Sequence, residues 1–361
     1  MTRRTGLVLA SCSLLLATFR PAHAAETGPL PVRGLHVAAP QPEEMGLALR
    51  LIQALPEEGV NTLVLEIDYR FRFARRPEVA EEGALSADEV RALADTARSR
   101  GIRLIPQVNL LGHQSWEKKT GGLLTSHPEL DETPGLYPQN AGIYCRSYCP
   151  LHPKTHEIVF DVIDEIADAA QADAFHVGMD EVFLLGEDAC PRCRGKSRAE
   201  LFAGEVRALR DHLAQSGRQT WLWGDRLLDG ETTGIGEWEA AKNGTAAALA
   251  LLPKDVVVCD WHYESAWPTA VHFAVSGFPV VSSAWRRPRV ALQQLELLRA
   301  ARRSSEPPLD GRLLGVLHTT WIGLGPFASA YFGEGTPDPA ALEAALAFKE
   351  LFRELRAGGL R

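Results

Sequence analysis

The sequence lacks several features that would each indicate a particular class of protein. After residue 24 no apolar run approaches the roughly 20 residues that a membrane-spanning helix needs, so no such span is predicted. There is no basic excess, since the formal net charge is −8 at pH 7, and this argues against nucleic acid as a partner. Low-complexity tracts and repeats of fixed period are also missing, and an apolar content of 45% is that of a globular protein.

The N-terminus has the organisation of a secretory signal peptide. A basic start, "MTRR", precedes the apolar stretch "GLVLASCSLLLATF" and a small-x-small cleavage site formed by Ala22, His23 and Ala24. We therefore expect residues 1–24 to be removed and residues 25–361 to form one exported domain, secreted or periplasmic. A lipoprotein anchored at Cys12 is the less favoured alternative, because only a short apolar run precedes "LASC".

The cysteines of the remaining chain allow two interpretations. "CRSYC" and "CPRC" have spacings that could hold zinc, whereas export to an oxidising compartment favours disulfides. Disulfides are favoured and a structural zinc site stays open. The cysteines concerned are Cys145, Cys149, Cys190 and Cys193. Cys259 lies in an apolar strand and is predicted to be a buried thiol.

Strand-like runs alternate with helix-like segments along the whole chain. The predicted strands are 32–38, 61–68, 102–109, 173–180, 219–225, 255–261, 278–285 and 313–321. Helical patterns separate them, and "SADE" is a capping box before one of these helices. Eight such units predict an α/β fold, a single (β/α)8 TIM barrel. A doubly wound open sheet is the alternative, disfavoured because no glycine-rich phosphate turn follows the first strand.

Chemically distinctive side chains follow the predicted strand ends, where the catalytic residues of a barrel lie. Seven of the eight tryptophans lie at these ends or just after them, together with acids and histidines. Aromatic rings stack on the apolar faces of sugars, and carboxylates bind the hydroxyls, so a carbohydrate is the predicted partner.

Asp180 and Glu181, adjacent in "FHVGMDEV", are the strongest catalytic candidates. A retaining glycosidase with its own nucleophile uses two carboxylates about 5 Å apart, and an inverting enzyme needs a wider gap. Adjacent carboxylates suit a different pair of roles, in which one acid protonates the leaving oxygen and the other stabilises a nucleophile that the substrate carries. His176 in the same stretch is interpreted as structural.

"FHVGMDEV" resembles the H-x-G-x-D-E signature of glycoside hydrolase family 20, the β-N-acetylhexosaminidases, and the resemblance extends over most of residues 32–321. It implies that Asp180 orients the 2-acetamido group of the substrate and that Glu181 is the general acid and base. "IPQVNLLGHQSW" is similar to the third-strand motif of the family, which implies that His113 tunes Glu181 and that Asp68 steadies His113. The resemblance implies no cofactor and no metal in catalysis.

The same resemblance implies a set of substrate-binding residues. Arg33 in "VRGLHV" is similar to the first-strand arginine that binds sugar hydroxyls. Tryptophans that wall the pocket around the N-acetyl group are matched by Trp223, Trp261 and Trp321. Tyr263 or Trp285 is the candidate for contacting the acetamido carbonyl.

Several stretches depart from the family pattern. The eighth strand ends in "TTWIGLG" without an acid, the seventh has "SAWRRP" in place of tyrosine-x-aspartate, and the small domain that usually precedes the barrel is not expected. Three alternatives to an exported exo-acting β-N-acetylhexosaminidase follow. One is a retaining glycosidase with Glu66 or Asp260 as nucleophile, another a non-catalytic amino-sugar-binding barrel. The third, a zinc-dependent deacetylase, is disfavoured because no His/Asp cluster has ligand spacing.

Overall fold

Eight parallel strands close into one barrel in the computed structural model, which describes residues 28–360. The strands are β1 (Val32–Ala38), β2 (Thr62–Glu66), β3 (Arg103–Leu110), β4 (Ala174–Gly178), β5 (Gln219–Trp223), β6 (Val257–Trp261), β7 (Val280–Ala284) and β8 (Leu313–His318). Each pairs with the next along the chain, and β8 pairs with β1. The predicted TIM barrel is confirmed and the open-sheet alternative is wrong. The predicted signal peptide lies outside the described residues.

Helices surround the barrel. They are α1 (Met45–Glu58), α2 (Ala87–Ser99), α3 (Gly122–Ser126), α4 (Thr155–Ala170), α5 (Arg198–Gln215), α6 (Gly230–Thr233), α7 (Thr269–Val275), α8 (Pro288–Ser304), α9 (Leu309–Arg312), α10 (Leu324–Phe332) and α11 (Pro339–Ala357). Short 3₁₀ helices lie at 42–44, 77–79, 128–130, 138–140, 225–227 and 245–250, and two two-residue strands pair at 115–116 and 119–120. Among the described helices, none is both long and apolar enough to cross a bilayer.

Local sequence explains where these helices begin and which face they bury. The predicted capping box is present at α2, where the Ser86 side chain accepts from the Glu89 backbone N–H and the Glu89 carboxylate accepts from that of Ser86. Leu51 and Leu55 lie on one stripe of α1 and are fully buried against the barrel. Such stripes form an apolar layer between the helices and the outer side of the strands.

A second core fills the barrel interior and forms the floor beneath its carboxyl-terminal mouth. It contains Trp221 and Trp223, both fully buried. The ring of Trp223 lies 5.3 Å from His36 and 4.4 Å from His176. His176, interpreted from the sequence as structural, is fully buried, and its Nδ1 accepts from the backbone N–H of Gly178. Burial holds the pKa of His176 well below its ordinary value, so it is neutral.

Candidate active site

A cavity of about 940 Å³ opens at the carboxyl-terminal end of the barrel. This is the end at which barrel enzymes place their catalytic groups. The predicted site residues that line it are Asp68, His113, Asp180, Glu181, Trp261, Tyr263, Trp285 and Trp321. Residues distant in sequence are thus gathered around one space by the parallel strands.

The backbone after β4 explains how two adjacent acids reach the same cavity. Side chains alternate along a strand, but β4 ends at Gly178, before the pair. Met179 and Glu181 have left-handed φ values of 67° and 49°. This turn brings one carboxylate oxygen from each of Asp180 and Glu181 within 4.8 Å of the other and of a His113 nitrogen. Strained backbone of this kind persists where the surrounding structure enforces it, which is common at functional sites.

Two glycines permit the close approach of the loops that carry these groups. A Cβ on Gly112 would lie 2.8 Å from the backbone oxygen of Asp180. Gly178 has a φ of 67°, and a Cβ there would lie 2.7 Å from the Cα of Asn109. Any larger residue would therefore separate the His113 loop from the acid pair.

His113 lies between the two acids. Its Nε2 is 3.3 Å from Asp180 Oδ2 and 3.2 Å from Glu181 Oε2. Burial opposes the charged imidazole, but the Asp180 carboxylate and contacts with both acids outweigh it and hold the pKa of His113 well above its ordinary value. The site thus places a protonated imidazole between the side chains of Asp180 and Glu181.

Asp68 does not hold His113 as the sequence predicted. Its Oδ1 accepts from the backbone N–H of Asn109 at 2.8 Å, and its carboxyl group contacts Glu66. Burial, followed by the charge of Glu66, holds the pKa of Asp68 well above its ordinary value. Glu66 accepts from Asn109 Nδ2 at 3.0 Å and lies 3.4 Å from His36. Asp68 therefore belongs to an acid network at the cavity floor, and the predicted contact with His113 is wrong.

Asp225, a residue after β5 that the sequence left without a role, positions Glu181. Its Oδ2 accepts from the backbone N–H of Glu181 at 2.9 Å and from Arg226 Nε at 2.7 Å. Its Oδ1 accepts from Trp261 Nε1 at 3.3 Å. Burial raises the pKa of Asp225 to about 6, against the opposing effect of Arg226. One buried carboxylate thus fixes both the acid pair and an aromatic wall.

Aromatic side chains at or just after the ends of β6, β7 and β8 form another part of the cavity wall. Trp261 stacks on Tyr263 with ring centroids 4.9 Å apart. Trp321 Nε1 donates to Tyr263 Oη at 2.5 Å. The same hydroxyl lies 3.2 Å from Thr319 Oγ1, which itself donates to the backbone oxygen of Ala284 at 3.0 Å. Trp285 packs edge-on against Tyr263, and its buried Nε1 has no partner among the described residues. This wall offers flat apolar surface together with the Tyr263 hydroxyl and one unpartnered N–H donor, that of Trp285.

Two predicted substrate-binding residues lie outside the cavity. Arg33 is at the amino-terminal end of β1, where it donates to the backbone oxygens of Gly59 and Leu30 at 2.8 and 2.6 Å. The bottom of the barrel, not its mouth, holds this guanidinium, so the prediction is wrong. Trp223 lies in the core beneath the cavity, fully buried, with its ring 5.3 Å from Trp321. It supports a pocket wall and does not itself form one, which corrects the second prediction.

Sequence reasoning missed residues that reach the cavity from long loops. Tyr144 comes from the β3–α4 loop and contacts Glu181. The loop after β5 supplies Trp238 and Glu239, and Trp238 lies 4.8 Å from Tyr144. Glu239 accepts from the backbone N–H of Tyr263 at 2.9 Å. None of these residues follows a strand directly, so a search of strand ends could not find them.

Potential metal ligands occur in two clusters among the described residues. One is His113, Asp180 and Glu181, which corrects the expectation that no His/Asp cluster has ligand spacing. A histidine binds metal through a neutral ring nitrogen, whereas this imidazole is held protonated by both acids. The other is formed by three cysteines and Glu132. All five described cysteines are free thiols, so the expected disulfides are not present in this part of the chain.

Residues 63–287, more than half of the chain, match the family described as "Glycosyl hydrolase family 20, catalytic domain". The chain belongs to this family. The resemblance stated from "FHVGMDEV" is confirmed, and the acid pair, His113 and Tyr263 all lie within the matched residues.

Curated relatives are similar to this family 20 chain over only part of their own length. A beta-hexosaminidase of Porphyromonas gingivalis is 25% identical over 215 residues, which are 54% of this chain and 26% of the relative. The human beta-hexosaminidase subunit beta is 27% identical over 219 residues, 58% of this chain and 35% of the relative. The chain thus spans about a quarter to a third of the length of these relatives.

Solved structures share the fold. A chitobiase of Flavobacterium johnsoniae superposes with a TM-score of 0.62 at 21% identity, covering 92% of this chain and 52% of that one. An exo-β-N-acetylglucosaminidase of Vibrio harveyi, solved with N-acetylglucosamine, gives a TM-score of 0.60 at 18% identity, covering 90% of this chain and 54% of that one. At these identities the likeness establishes the barrel alone.

Proposed function

We propose that this chain is an exported, exo-acting β-N-acetylhexosaminidase that removes terminal N-acetylglucosamine or N-acetylgalactosamine with retention of configuration. The acetamido group of the substrate serves as nucleophile. Family membership supports a glycoside hydrolase, and the named relatives are beta-hexosaminidases. The site geometry supports the mechanism.

One observation carries the proposal. Asp180 Oδ1 is buried and has no hydrogen-bond partner among the described residues, although Asp180 lines the cavity. A buried carboxylate oxygen without a donor is costly, so the site favours a ligand that supplies an N–H. In the aromatic wall of the cavity, Trp285 Nε1 is a buried donor without a partner among the described residues, and it suits a carbonyl oxygen. The neighbouring Tyr263 hydroxyl suits one as well once it turns from Thr319. An acetamido group carries both an N–H and a carbonyl.

In the first step the acetamido oxygen attacks the anomeric carbon as the glycosidic bond breaks. Glu181 transfers its proton to the departing oxygen, and a cyclic oxazolinium ion forms. Asp180 accepts the hydrogen bond of the ring N–H and offsets its positive charge. The His113 imidazolium, 3.2 Å from Glu181 Oε2, stabilises the carboxylate that Glu181 becomes.

In the second step water attacks the same carbon from the side that the leaving group vacated. Glu181, now ionised, accepts a proton from this water, and the bond to the acetamido oxygen breaks. The acetamido group is restored, and the released sugar keeps its β configuration. The chemistry uses side chains of this chain and a group of the substrate.

A conventional carboxylate nucleophile is less well supported. Asp260 is buried and engaged by His262 at 3.1 Å and by Thr269 at 2.7 Å. Glu66 lines the cavity, but Asn109 and His36 occupy its two oxygens. Neither carboxylate is free in the way that Asp180 Oδ1 is.

A panel of aryl β-glycosides with and without the 2-acetamido group tests the mechanism. Substrate-assisted chemistry requires cleavage only of the acetamido sugars, inhibition by a thiazoline analogue of the cyclic intermediate, and loss of turnover in Glu181→Gln. Hydrolysis of plain glucosides, or a trapped glycosyl-enzyme, would overturn it. Calorimetric binding of N-acetylglucosamine without turnover would instead identify a non-catalytic sugar-binding barrel. Activity that is lost in the presence of a chelator and restored by zinc would identify a metal-dependent deacetylase.

Export has its own test. Mass spectrometry of the protein recovered from the periplasm or medium should give an N-terminus at Ala25. Retention of residues 1–24, or a lipid on Cys12, would contradict the proposed processing.

A further inference from the structure

Three thiols and one carboxylate converge outside the catalytic cavity. Cys149 lies just before α4, Cys190 and Cys193 lie in the loop between β4 and α5, and Glu132 lies in the loop between β3 and α4. Each offers a ligand atom within 4.8 Å of the other three. Cys149 Sγ is 3.4 Å from both Cys190 Sγ and Cys193 Sγ. All four residues are buried, with at most 1% of their surface exposed.

A disulfide does not account for this arrangement. Cys149 is equally close to two sulfurs, and a sulfur forms only one disulfide, so any pairing leaves a third buried thiol beside the carboxylate. Cys145, the other half of "CRSYC", lies elsewhere, with its Sγ 3.6 Å from the backbone oxygen of Glu181. The two cysteines of "CRSYC" therefore do not act as a pair, whereas both cysteines of "CPRC" belong to the cluster.

Glu132 supplies an independent indication of a ligand. Its Oε1 accepts from the backbone N–H groups of Gly186 and Glu187 at 2.7 and 3.3 Å, which fixes the carboxylate. Its Oε2 is buried and has no hydrogen-bond partner among the described residues. An unpartnered carboxylate oxygen facing three buried thiols is stabilised by a cation bound between them.

We infer that Cys149, Cys190, Cys193 and Glu132 form a tetrahedral zinc site. Zinc binds thiolates at about 2.3 Å in closed tetrahedral sites, which places sulfurs roughly 3.8 Å apart. The 3.4 Å separations need only a small expansion. Backbone N–H groups of Arg192 and Cys193 donate to the Cys190 sulfur, and that of Leu151 donates to Cys149. These bonds orient the sulfurs and offset the negative charge of the ligand set.

The site joins the two loops that carry the catalytic groups. Glu132 and Cys149 belong to the loop after β3, which also carries His113, and Cys190 and Cys193 follow Asp180 and Glu181 in the loop after β4. A bound ion therefore fixes these loops relative to each other outside the cavity. Its role is structural, and the inference does not depend on which sugar, if any, the enzyme cleaves.

Metal content measures the site directly. The full chain, purified without reductant after expression with zinc, should contain about one zinc per chain by plasma mass spectrometry. Mercurial titration of the thiols should release it. Cobalt exchanged into the site should give the ligand-field and thiolate charge-transfer absorption of a tetrahedral centre. Cys149→Ser should lose the metal, whereas Cys259→Ala, which changes a buried thiol of the barrel interior, should retain it.

Glu132→Gln keeps the size of the fourth ligand, and it tests the site even if the Cys149→Ser variant does not fold. It should hold zinc at least 10-fold more weakly in competition with a chromophoric chelator, with a native circular dichroism spectrum. A metal-free protein that takes up no zinc would overturn the inference, as would zinc retained in Cys149→Ser. A disulfide linking any two of the three cysteines in the exported protein would also overturn it. Equal zinc affinity in Glu132→Gln would remove Glu132 from the site.

Discussion

The carboxylate of Asp225 accepts a hydrogen bond from the backbone N–H of Glu181 over 2.9 Å. Asp225 follows β5 and Glu181 follows β4, so the bond links neighbouring strand ends of the barrel. Because this N–H belongs to Glu181, which we propose as general acid and base, Asp225 affects the reaction by holding Glu181 in place. It is a positioning residue and does not touch the substrate in this scheme.

We expect Asp225→Asn to lower kcat by on the order of 10- to 100-fold with a smaller change in KM, because small displacements of a catalytic group cost that much. Wild-type activity should also fall as pH drops through about 6, where Asp225 takes up a proton. In the Asp225→Asn variant this fall in activity on the acidic side of the pH profile, the acidic limb, should shift to another pH or disappear. Initial rates on an aryl N-acetyl-β-glucosaminide between pH 4 and 9 measure both effects.

Asp161→Asn is the matched control for Asp225→Asn. Asp161 is on α4 and accepts from Arg76 Nε at 2.7 Å, so the change also removes a carboxylate from an arginine, but far from the cavity. The control should keep the wild-type pH profile. An unchanged acidic limb in Asp225→Asn would remove the positioning role.

Tyr263→Phe tests the hydroxyl of the aromatic wall as a partner of the acetamido carbonyl. The change removes the hydroxyl and keeps the ring that stacks on Trp261. If the hydroxyl binds the acetamido carbonyl, kcat/KM should fall about 10- to 100-fold, as expected for a buried acceptor left unpaired. Steady-state rates with an aryl N-acetyl-β-glucosaminide report this loss.

Two comparisons separate this role from general loss of stability. Tyr331→Phe removes a hydroxyl bonded to Glu58 at 3.0 Å on the outer helices and should leave kcat/KM unchanged. Trp285→Phe removes the unpartnered N–H donor of the wall. A larger loss in Trp285→Phe than in Tyr263→Phe would reassign the contact to Trp285.

The fold followed from sequence because its signals are local and repeated. The strand predicted over 32–38 is β1 without change, six of the others contain an observed strand, and β3 extends one residue past the predicted 102–109. Five of the eight predicted strands end too late, as in 313–321 against Leu313–His318. The residues after a strand end continue its apolar composition, while the backbone has already turned, as the left-handed φ of 51° at Trp321 shows.

The site was predicted in part for the same reason. Asp180 and Glu181 directly follow a strand, and so a one-dimensional pattern finds them. The prediction that Arg33 binds substrate is wrong because Arg33 lies near the start of its strand. Position along a strand decides which end of the barrel a side chain reaches. Glu239 comes from a loop whose path depends on tertiary contacts, including its bond to His262 at 2.8 Å. No periodicity in the sequence encodes that contact.

Gly112→Ala should damage the site through backbone contact alone. The added Cβ would meet the Asp180 backbone oxygen at 2.8 Å and separate the His113 loop from the acid pair. We expect a loss of about 1–3 kcal/mol in the free energy of unfolding, as for other overpacked sites, and a clear fall in kcat. Urea unfolding followed by tryptophan fluorescence, with rates on the same samples, gives both numbers.

Gly204→Ala is the paired control for Gly112→Ala. Gly204 is inside α5, has open space where a Cβ would be added, and should gain about 0.5–1 kcal/mol from helix propensity without a change in rate. If Gly112→Ala retained full activity, the proposed tight approach of the two loops would be wrong.

His262 makes stability depend on pH in the alkaline range. Its ring nitrogens contact Glu239 at 2.8 Å and Asp260 at 3.1 Å. Burial opposes its charge, but Asp260 and Glu239 outweigh it and raise the pKa of His262 to about 9. Because the folded pKa exceeds the unfolded value of about 6.5, this stabilisation is complete below about pH 6.5 and is lost as the pH rises through about 9.

The expected measurement is the difference in unfolding free energy between wild type and His262→Gln, taken by urea titration from pH 6 to pH 10. The wild-type advantage should shrink by roughly 3 kcal/mol across this range, since each unit of pKa shift corresponds to about 1.4 kcal/mol. His272→Gln changes an exposed position on α7, and the difference in unfolding free energy between it and wild type should be the same at every pH. A constant difference between wild type and His262→Gln would mean that His262 is neutral in the folded protein, and the ion pairs with Glu239 and Asp260 would then be hydrogen bonds of an uncharged ring.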